Sequence, residues 1–301
     1  MSDPLQHISV CACTYKRPEL LQRLLAALTS QETGGQFTYL IVVVDNDRAR
    51  SAEAVVASIA ANSPVAIQYF SEPRQGIALA RNKAVESATG DFVAFLDDDE
   101  FPIPSWLLTL WQTLKQHNVD GVLGPVRPHF DAAPPKWVIE GGFHDRPEDP
   151  TGTVLDWGKC RTGNVLLKRE LFAIETPAFR PECLSGEDQD FFRRMIEKGR
   201  KFVWCNEAVA YEVVPPARWT RSFLVRRALF RGVFSLRNYG FPVKRILQSF
   251  VAVPAYTIAL PVALVLGQPR FMGCVFKLSY HVGRLLALVG VDPIGQPYVT
   301  D

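Results

Sequence analysis

Two groups of carboxylates stand out by type and spacing. Asp97-Asp98-Asp99-Glu100 closes the apolar run Phe92 to Leu96, and Glu187-Asp188, with Asp190 two residues on, opens a helical pattern. Neighbouring carboxylates repel unless a cation or fixed donors neutralise them. Alternate side chains of an extended segment share a face, so Asp97 and Asp99 can reach one hard cation, Mg2+ or Mn2+, through oxygen. Such an ion would bridge a diphosphate. The same cluster would also serve as a solvated turn or helix cap before Phe101-Pro102. A carboxylate at a helix start, half shielded by Phe191 and Phe192, has the chemistry of a general base for a hydroxyl nucleophile. Glu187, Asp188 and Asp190 would equally be first-turn acids favoured by the helix dipole. Only the combination separates these readings.

The elements that must position these groups follow from periodicity. Ile8 to Cys13, Tyr39 to Val44, Val65 to Phe70 and Phe92 to Leu96 read as buried strands. Pro18 to Ser30, Ala52 to Ala61, Ile77 to Ala88 and Pro104 to Gln116 place Leu, Ala and Val at helical spacing. This alternation predicts an α/β fold with a mostly parallel sheet, whose ligands sit beyond the carboxyl ends of the strands. Those ends are polar here: Thr14 to Pro18, Asp45-Asn46-Asp47, Arg74-Gln75-Gly76 with Arg81-Asn82, and Asp97 to Glu100. From Arg127 to Trp157 five prolines and several glycines predict a long ordered insertion over the site. His129 and His144 in it, near Trp137 and Trp157, read either as sugar or diphosphate contacts or as ordinary loop and packing residues.

The 301 residues carry 33 Lys plus Arg against 31 Asp plus Glu, with 48% hydrophobic residues, which excludes a disordered chain and a small disulfide scaffold. That balance hides an asymmetry. Between Glu212 and Asp292 there are eleven basic residues and no acid, leaving 22 positive against 31 negative charges elsewhere. The six cysteines show no zinc spacing and read as reduced thiols of a cytosolic compartment. Met1 to Val10 lacks the pattern of a secretory signal.

Taken in order, Ile8 to Pro18 (ISVCACTYKRP), Val43 to Asn46 (VVDN), Gly76 to Asn82 (GIALARN), Phe95 to Asp99 (FLDDD), Thr162 to Asn164 (TGN) and Gly186 to Phe191 (GEDQDF) resemble an inverting family 2 glycosyltransferase over roughly Ile8 to Tyr239. Within that family the resemblance is greatest to bacterial exopolysaccharide glucosyltransferases of succinoglycan type. It implies the GT-A fold, Rossmann-like with a mostly parallel sheet flanked by helices, a nucleotide-diphosphate sugar donor, Mn2+ or Mg2+, and inversion at the anomeric carbon. It places Thr14, Tyr15, Arg17, Asp45, Arg81, Asp97 and Asp98 on the donor. Tyr15 resembles the residue that stacks on the base, Asp45 the carboxylate that accepts from it, Arg81 the arginine beside the diphosphate, and Asp98 the ribose contact. Asp99, with Asp97, would be the metal ligand. Asp188 matches the catalytic base, while Glu187 and Asn164 would face acceptor or sugar. Two departures from the family pattern stand out. Tyr211-Glu212 occupies the place of a His found in many members, so Glu212 is either an extra ligand or a strand end. The Q-x-x-R-W of processive synthases is absent, which argues for transfer of a single sugar.

The basic stretch is also apolar. Phe250 to Leu266 is an uncharged run of 17 residues interrupted by Pro254 and Pro261, and Phe271 to Val291 is broken by Lys277, His281 and Arg284. Both fall short of a clear span, so interfacial or re-entrant helices on anionic lipid are expected, at the cytoplasmic face of the inner (plasma) membrane. A helical subdomain packed on the catalytic domain is the plainer reading of the same residues. The predominance of Leu, Val and Phe over stacking aromatics, with an acidic body, argues against nucleic acid. The expected division is residues 1–212 as catalytic domain, with a nucleotide-sugar half 1–126 and an acceptor half 127–212, and 213–301 as the membrane-associating region. The expected reaction moves one sugar from a UDP-linked donor to a lipid-linked glycan of bacterial polysaccharide synthesis. A membrane scaffold that keeps the fold without catalysis is the rival. A nucleotidyltransferase is weaker still, for Thr14 to Pro18 lacks a glycine-rich loop.

Overall fold

The computed structural model describes residues 5–183, 186–237 and 243–291. The readings at Met1 to Pro4, at the Tyr239 limit and beyond Val291 lie outside them. The chain forms two compact units, Met1–Pro128 with Arg146–Val213, and His129–Asp145 with Val214–Asp301. The later segment of the second unit begins at Val214, one residue beyond the expected start at 213. The expected acceptor half, however, loses 129–145 to the later unit, where the Val214 N–H donates to the His129 carbonyl at 2.8 Å.

The first unit runs β1 (Gln6–Thr14), α1 (Pro18–Leu28), β2 (Phe37–Asp45), α2 (Glu53–Ala60), β3 (Ile67–Ser71), α3 (Ile77–Ser87), β4 (Phe92–Asp97), β5 (Glu100–Pro102), α4 (Trp106–His117), β6 (Gly121–Leu123) and β7 (Val126–His129). After α5 (Lys136–Glu140) of the second unit come β8 (Val165–Lys168), α6 (Glu187–Glu197), β9 (Phe202–Trp204) and β10 (Ala210–Val213). In β1, Ile8, Val10, Cys11 and Ala12 are all inaccessible, as expected of a parallel strand covered on both faces. Pro18 starts α1, whose Leu21, Leu24, Leu25 and Leu28 form the buried stripe.

Seven strands form one sheet in the order β3-β2-β1-β4-β8-β6-β9, and three form a second, β5-β10-β7. All pairings in the large sheet are parallel except those of β8, which runs against β4 and β6. Because Val165 pairs with Phe95, the start of β8 lies on the same sheet edge as the end of β4. The Thr162-Gly163-Asn164 turn therefore arrives beside the Asp97 to Glu100 cluster.

The second unit is built on α7 (Arg221–Arg237), α8 (Val243–Val265) and α9 (Gln268–Leu288), with α9 packed on both others. The backbones of α7 and α9 touch: a Cβ on Gly232 would lie 2.1 Å from the Tyr280 carbonyl, and one on Gly283 2.2 Å from that of Leu229. On α8, Ser249 is buried beside His281, Nδ1 to Oγ 3.0 Å, and Tyr256 stacks on the same ring. The other face of α8 exposes Val243, Leu247, Phe250, Val251, Ile258, Val262 and Val265. The expected interruption of this run is corrected: α8 is one helix of 23 residues through Pro254 and Pro261, which lie seven apart on the exposed side. At 1.5 Å per residue it is about 34 Å long, against a bilayer core of about 30 Å. Among the described residues it is the one helix long and apolar enough to cross a membrane.

Candidate active site

Thr14 ends β1, and the chain turns through Lys16 (φ 55°) to bring Arg17 back over the sheet edge. The Thr14 hydroxyl donates to Asp98 Oδ2 at 2.8 Å, and Arg17 Nη1 donates to Asp98 Oδ1 at 3.1 Å. Arg17 also lies 3.5 Å from Asp99 Oδ2. Burial pushes the Asp98 carboxyl above its ordinary pKa, with Arg17 opposing the rise. Thr14 at the end of β1 and Arg17 just past it are thus brought together with Asp98 and Asp99 just past the end of β4. Tyr15 is half-buried next to them, with the Lys16 ammonium 5.1 Å from its ring centroid.

Asp45 departs from its expected role. It is inaccessible, and its carboxylate accepts from Asp47 N–H (3.0 Å), Ala52 N–H (2.7 Å) and the Tyr69 hydroxyl (3.1 Å). It holds the β2–α2 loop closed and, with no exposed surface, presents no oxygen to a nucleobase. Asn46 ties this loop to its neighbour, donating to the Glu72 and Arg74 carbonyls and accepting from Gly76 N–H, each at 2.8 Å. Asn164 is likewise corrected. It is fully buried, its amide donates to the Pro125 and Ala208 carbonyls (2.7 Å each), and its oxygen accepts from Trp106 Nε1 (2.7 Å). With its donors and oxygen engaged inside the protein, it shapes the turn before β8 and does not face an acceptor.

Arg81 joins the two carboxylate groups. From the buried side of α3 one arm donates to Asp97 Oδ1 at 3.3 Å and the other forms a buried ion pair with Glu187 at the start of α6. The surrounding carboxylates hold its pKa well above the ordinary arginine value in spite of burial. Glu187, expected to face acceptor or sugar, is 4% exposed and is engaged by Arg81, which it positions. Asp188, the next residue, is half-buried and accepts from Gln189 N–H at 2.7 Å. Asp190 is turned away, paired with Arg194 at 2.9 Å and Arg193 at 3.0 Å.

In the sequence Glu100 is only the last member of the acidic cluster, with no role of its own, and nothing there marks Arg146. Glu100 is 1% exposed; its Oε2 accepts from Asp97 N–H at 3.1 Å, while its Oε1 has no hydrogen-bond partner among the described residues. Burial, reinforced by Asp97, raises its pKa well above the ordinary glutamate value. The antiparallel register of β5 and β10 sets Glu212 opposite Glu100, and Arg146 pairs with Glu212 while lying 4.0 Å from Glu100 Oε1. Glu212 is therefore the partner of an arginine. A glycine is needed at 163, for a Cβ there would lie 2.8 Å from Glu100 Oε1 and 3.2 Å from Asp97 Oδ2.

These residues fit a divalent ion of a particular kind. Asp97 is 45% exposed by side chain and Asp99 11%, and the Glu100 oxygen nearby is unpartnered. No cage of three or more His, Cys, Asp or Glu exists among the described residues. One or two carboxylates without a cage suit Mg2+ or Mn2+ that takes its other ligands from water and a substrate's phosphates.

Comparison with known proteins agrees with this geometry. Residues 9–172 match the model of Glycosyl transferase family 2. The chain is 36% identical over 239 residues to the succinoglycan biosynthesis protein ExoM of Rhizobium meliloti, covering 77% of this chain and 75% of that one. It is 31% identical to the glycosyltransferase AglE of Haloferax volcanii, over 72% of this chain and 70% of the other. Among solved structures, the mannosyltransferase PcManGT from Pyrobaculum calidifontis, in complex with GDP-Man and Mn2+, superposes with a TM-score of 0.67 at 18% identity, covering 96% and 89% of the two chains. Residues 1–349 of S. aureus TarS in complex with UDP superpose at 0.55 and 17% identity, over 95% and 92%. These likenesses show the GT-A fold of glycosyltransferases. The chain belongs to glycosyl transferase family 2.

Proposed function

We propose that this protein transfers a single sugar, with inversion, from a UDP-linked sugar to a lipid-linked glycan in bacterial polysaccharide synthesis. The observation that carries the reading is Arg81, bonded at once to Asp97 at the end of β4 and to Glu187 beside Asp188. It brings a diphosphate-binding group and a candidate base into one site. Asp188 takes the proton of the acceptor hydroxyl as its oxygen attacks the anomeric carbon. The bond from that carbon to the diphosphate breaks on the opposite face, and the electron pair stays on the departing phosphate oxygen. Arg81 lies where that charge develops. Asp99 and Asp97 would hold the divalent ion, Mn2+ or Mg2+, which supplies further positive charge to the leaving group. Thr14, Arg17 and Asp98 form the donor wall on the base side, with Tyr15 offering a ring to the base.

The relatives' names support a polysaccharide setting, UDP bound to TarS supports the nucleotide, and Mn2+ bound to PcManGT supports the metal. The exposed apolar face of α8 and the acid-free, basic stretch after Glu212 support association with anionic lipid at the cytoplasmic face, as a peripheral or re-entrant element. A thermal-shift panel of UDP, GDP, dTDP and CDP sugars, with and without Mn2+, tests the donor assignment, because a ligand of the native state raises the melting temperature. A Mn2+-dependent rise with UDP sugars is expected. A well-folded protein that responds to none of them would contradict it.

A further inference from the structure

A second concavity opens on the same sheet edge, across β4 from the donor wall. It is a cavity of about 190 Å3 among the ends of β6 and β9 and the turn before β8. Trp204, Lys159, Asp149, Glu148 and Arg146 line it, and Gly163 forms part of its wall. We propose that this pocket seats one hexopyranose ring of the acceptor glycan. The proposal rests on the transferase reading above.

Three features favour a sugar ring. Trp204, largely buried in the core, lends part of its surface to the lining and is held still: its backbone N–H donates to the Thr153 carbonyl at 2.9 Å, its carbonyl accepts from Gly152 N–H at 2.8 Å, and its indole N–H donates to Asn206 at 3.3 Å. The polar lining mixes signs, with Lys159 bonded to both oxygens of Asp149 (2.7 and 2.8 Å) and Arg127 to both of Glu148 (2.8 and 2.9 Å). Arg146, Lys159 and Arg161 stand against Glu148 and Asp149 in the lining, and sugar hydroxyls, which donate and accept together, match such paired groups.

The third feature is location. Gly163 has the pocket on one side, and the space its Cβ would fill is bounded by Asp97 Oδ2 and Glu100 Oε1. Gln189, next to Asp188, reaches the pocket rim by donating to the Gly158 carbonyl at 3.5 Å. A ring seated here has the turn beside the Asp97 to Glu100 cluster on one side and, at the rim, the residue next to the candidate base.

Saturation-transfer NMR with methyl β-D-glucopyranoside and methyl β-D-galactopyranoside, in the presence of UDP and Mn2+, tests this. The native protein is expected to bind at least one glycoside, and Asp149→Asn to bind it about tenfold more weakly, the loss of a charged hydrogen-bond acceptor. The UDP-induced melting shift should be the same in both. Equal glycoside affinity in the two proteins, or no glycoside binding by a native protein that binds UDP, would overturn the pocket assignment and leave the transferase reading standing. A glycoside lost on Asp149→Asn, by a protein that binds no nucleotide, would keep the pocket and overturn the transferase reading.

Discussion

Arg81 and Glu187, 106 residues apart in sequence, form a buried ion pair that ties α3 to the first turn of α6. The side chains are 9% and 5% exposed, so neither charge is relieved by water if the other is removed. Arg81→Met should cost about 3–5 kcal/mol in urea unfolding, because it strands the Glu187 carboxylate. The double change Arg81→Met, Glu187→Leu should cost much less than the sum of the single ones. Additive losses would show that the pair is not coupled.

Gly163→Ala probes the crowded wall between Asp97 and Glu100. The added methyl must displace Glu100 Oε1, 2.8 Å away in a fully buried position, which should cost about 1–3 kcal/mol of stability. The Mn2+-dependent donor shift should shrink with it. Unaltered stability and donor response in the Gly163→Ala protein would refute the placement of this turn.

Glu175 accepts from Arg194 at 2.7 Å, from Lys198 at 2.9 Å and from Arg180 at 3.2 Å. Its hydrogen bond from Lys198, then that from Arg194, holds its pKa below the ordinary glutamate value of 4.5. The folded state therefore binds fewer protons than the unfolded one at this group. Its contribution is present above the ordinary value and is lost as the pH falls through the folded one. Glu175→Gln should melt lower than the native protein at neutral pH, and the gap should close in acid. A gap constant with pH would contradict this.

On α8, Phe250 is 59% and Ile258 77% exposed, so Phe250→Asp with Ile258→Asp should leave the fold intact. Flotation with phosphatidylglycerol vesicles should carry the native protein and leave the double variant behind. Salt should weaken the native interaction by screening the basic residues without abolishing it. Equal flotation of both proteins, or of neither, would remove α8 from the account.

Much of this was legible in the sequence because its signals are local. Short β-branched apolar runs marked β1 to β4 and helical spacing marked α1 to α4, though not β5 between them, and the polar residues just past each strand end marked the sheet edge of the site. What was not legible depends on distant pairing. That Arg146 stands between Glu100 and Glu212 follows from the antiparallel register of β5 and β10, elements far apart in the chain. Asp45 and Asn164 match a family motif, yet whether their oxygens face a ligand or are taken by backbone N–H groups and an indole is set by loop closure. The prolines of α8 read as breaks, but on the exposed face of a packed helix they do not interrupt it.

The central claim is that Asp188 moves the proton while Asp97 and Asp99 hold the divalent ion on which donor binding depends. The most direct test is nucleoside diphosphate release from a UDP sugar, with Mn2+ and a bacterial lipid-linked glycan extract, by the native protein and by Asp188→Asn and Asp99→Ala. Asp188→Asn should keep the donor-induced melting shift and lose at least about a hundredfold in acceptor-dependent release, the scale of a general base. Asp99→Ala should lose the Mn2+-dependent donor shift itself. Wild-type release by Asp188→Asn, or loss of its donor binding, would contradict the assignment.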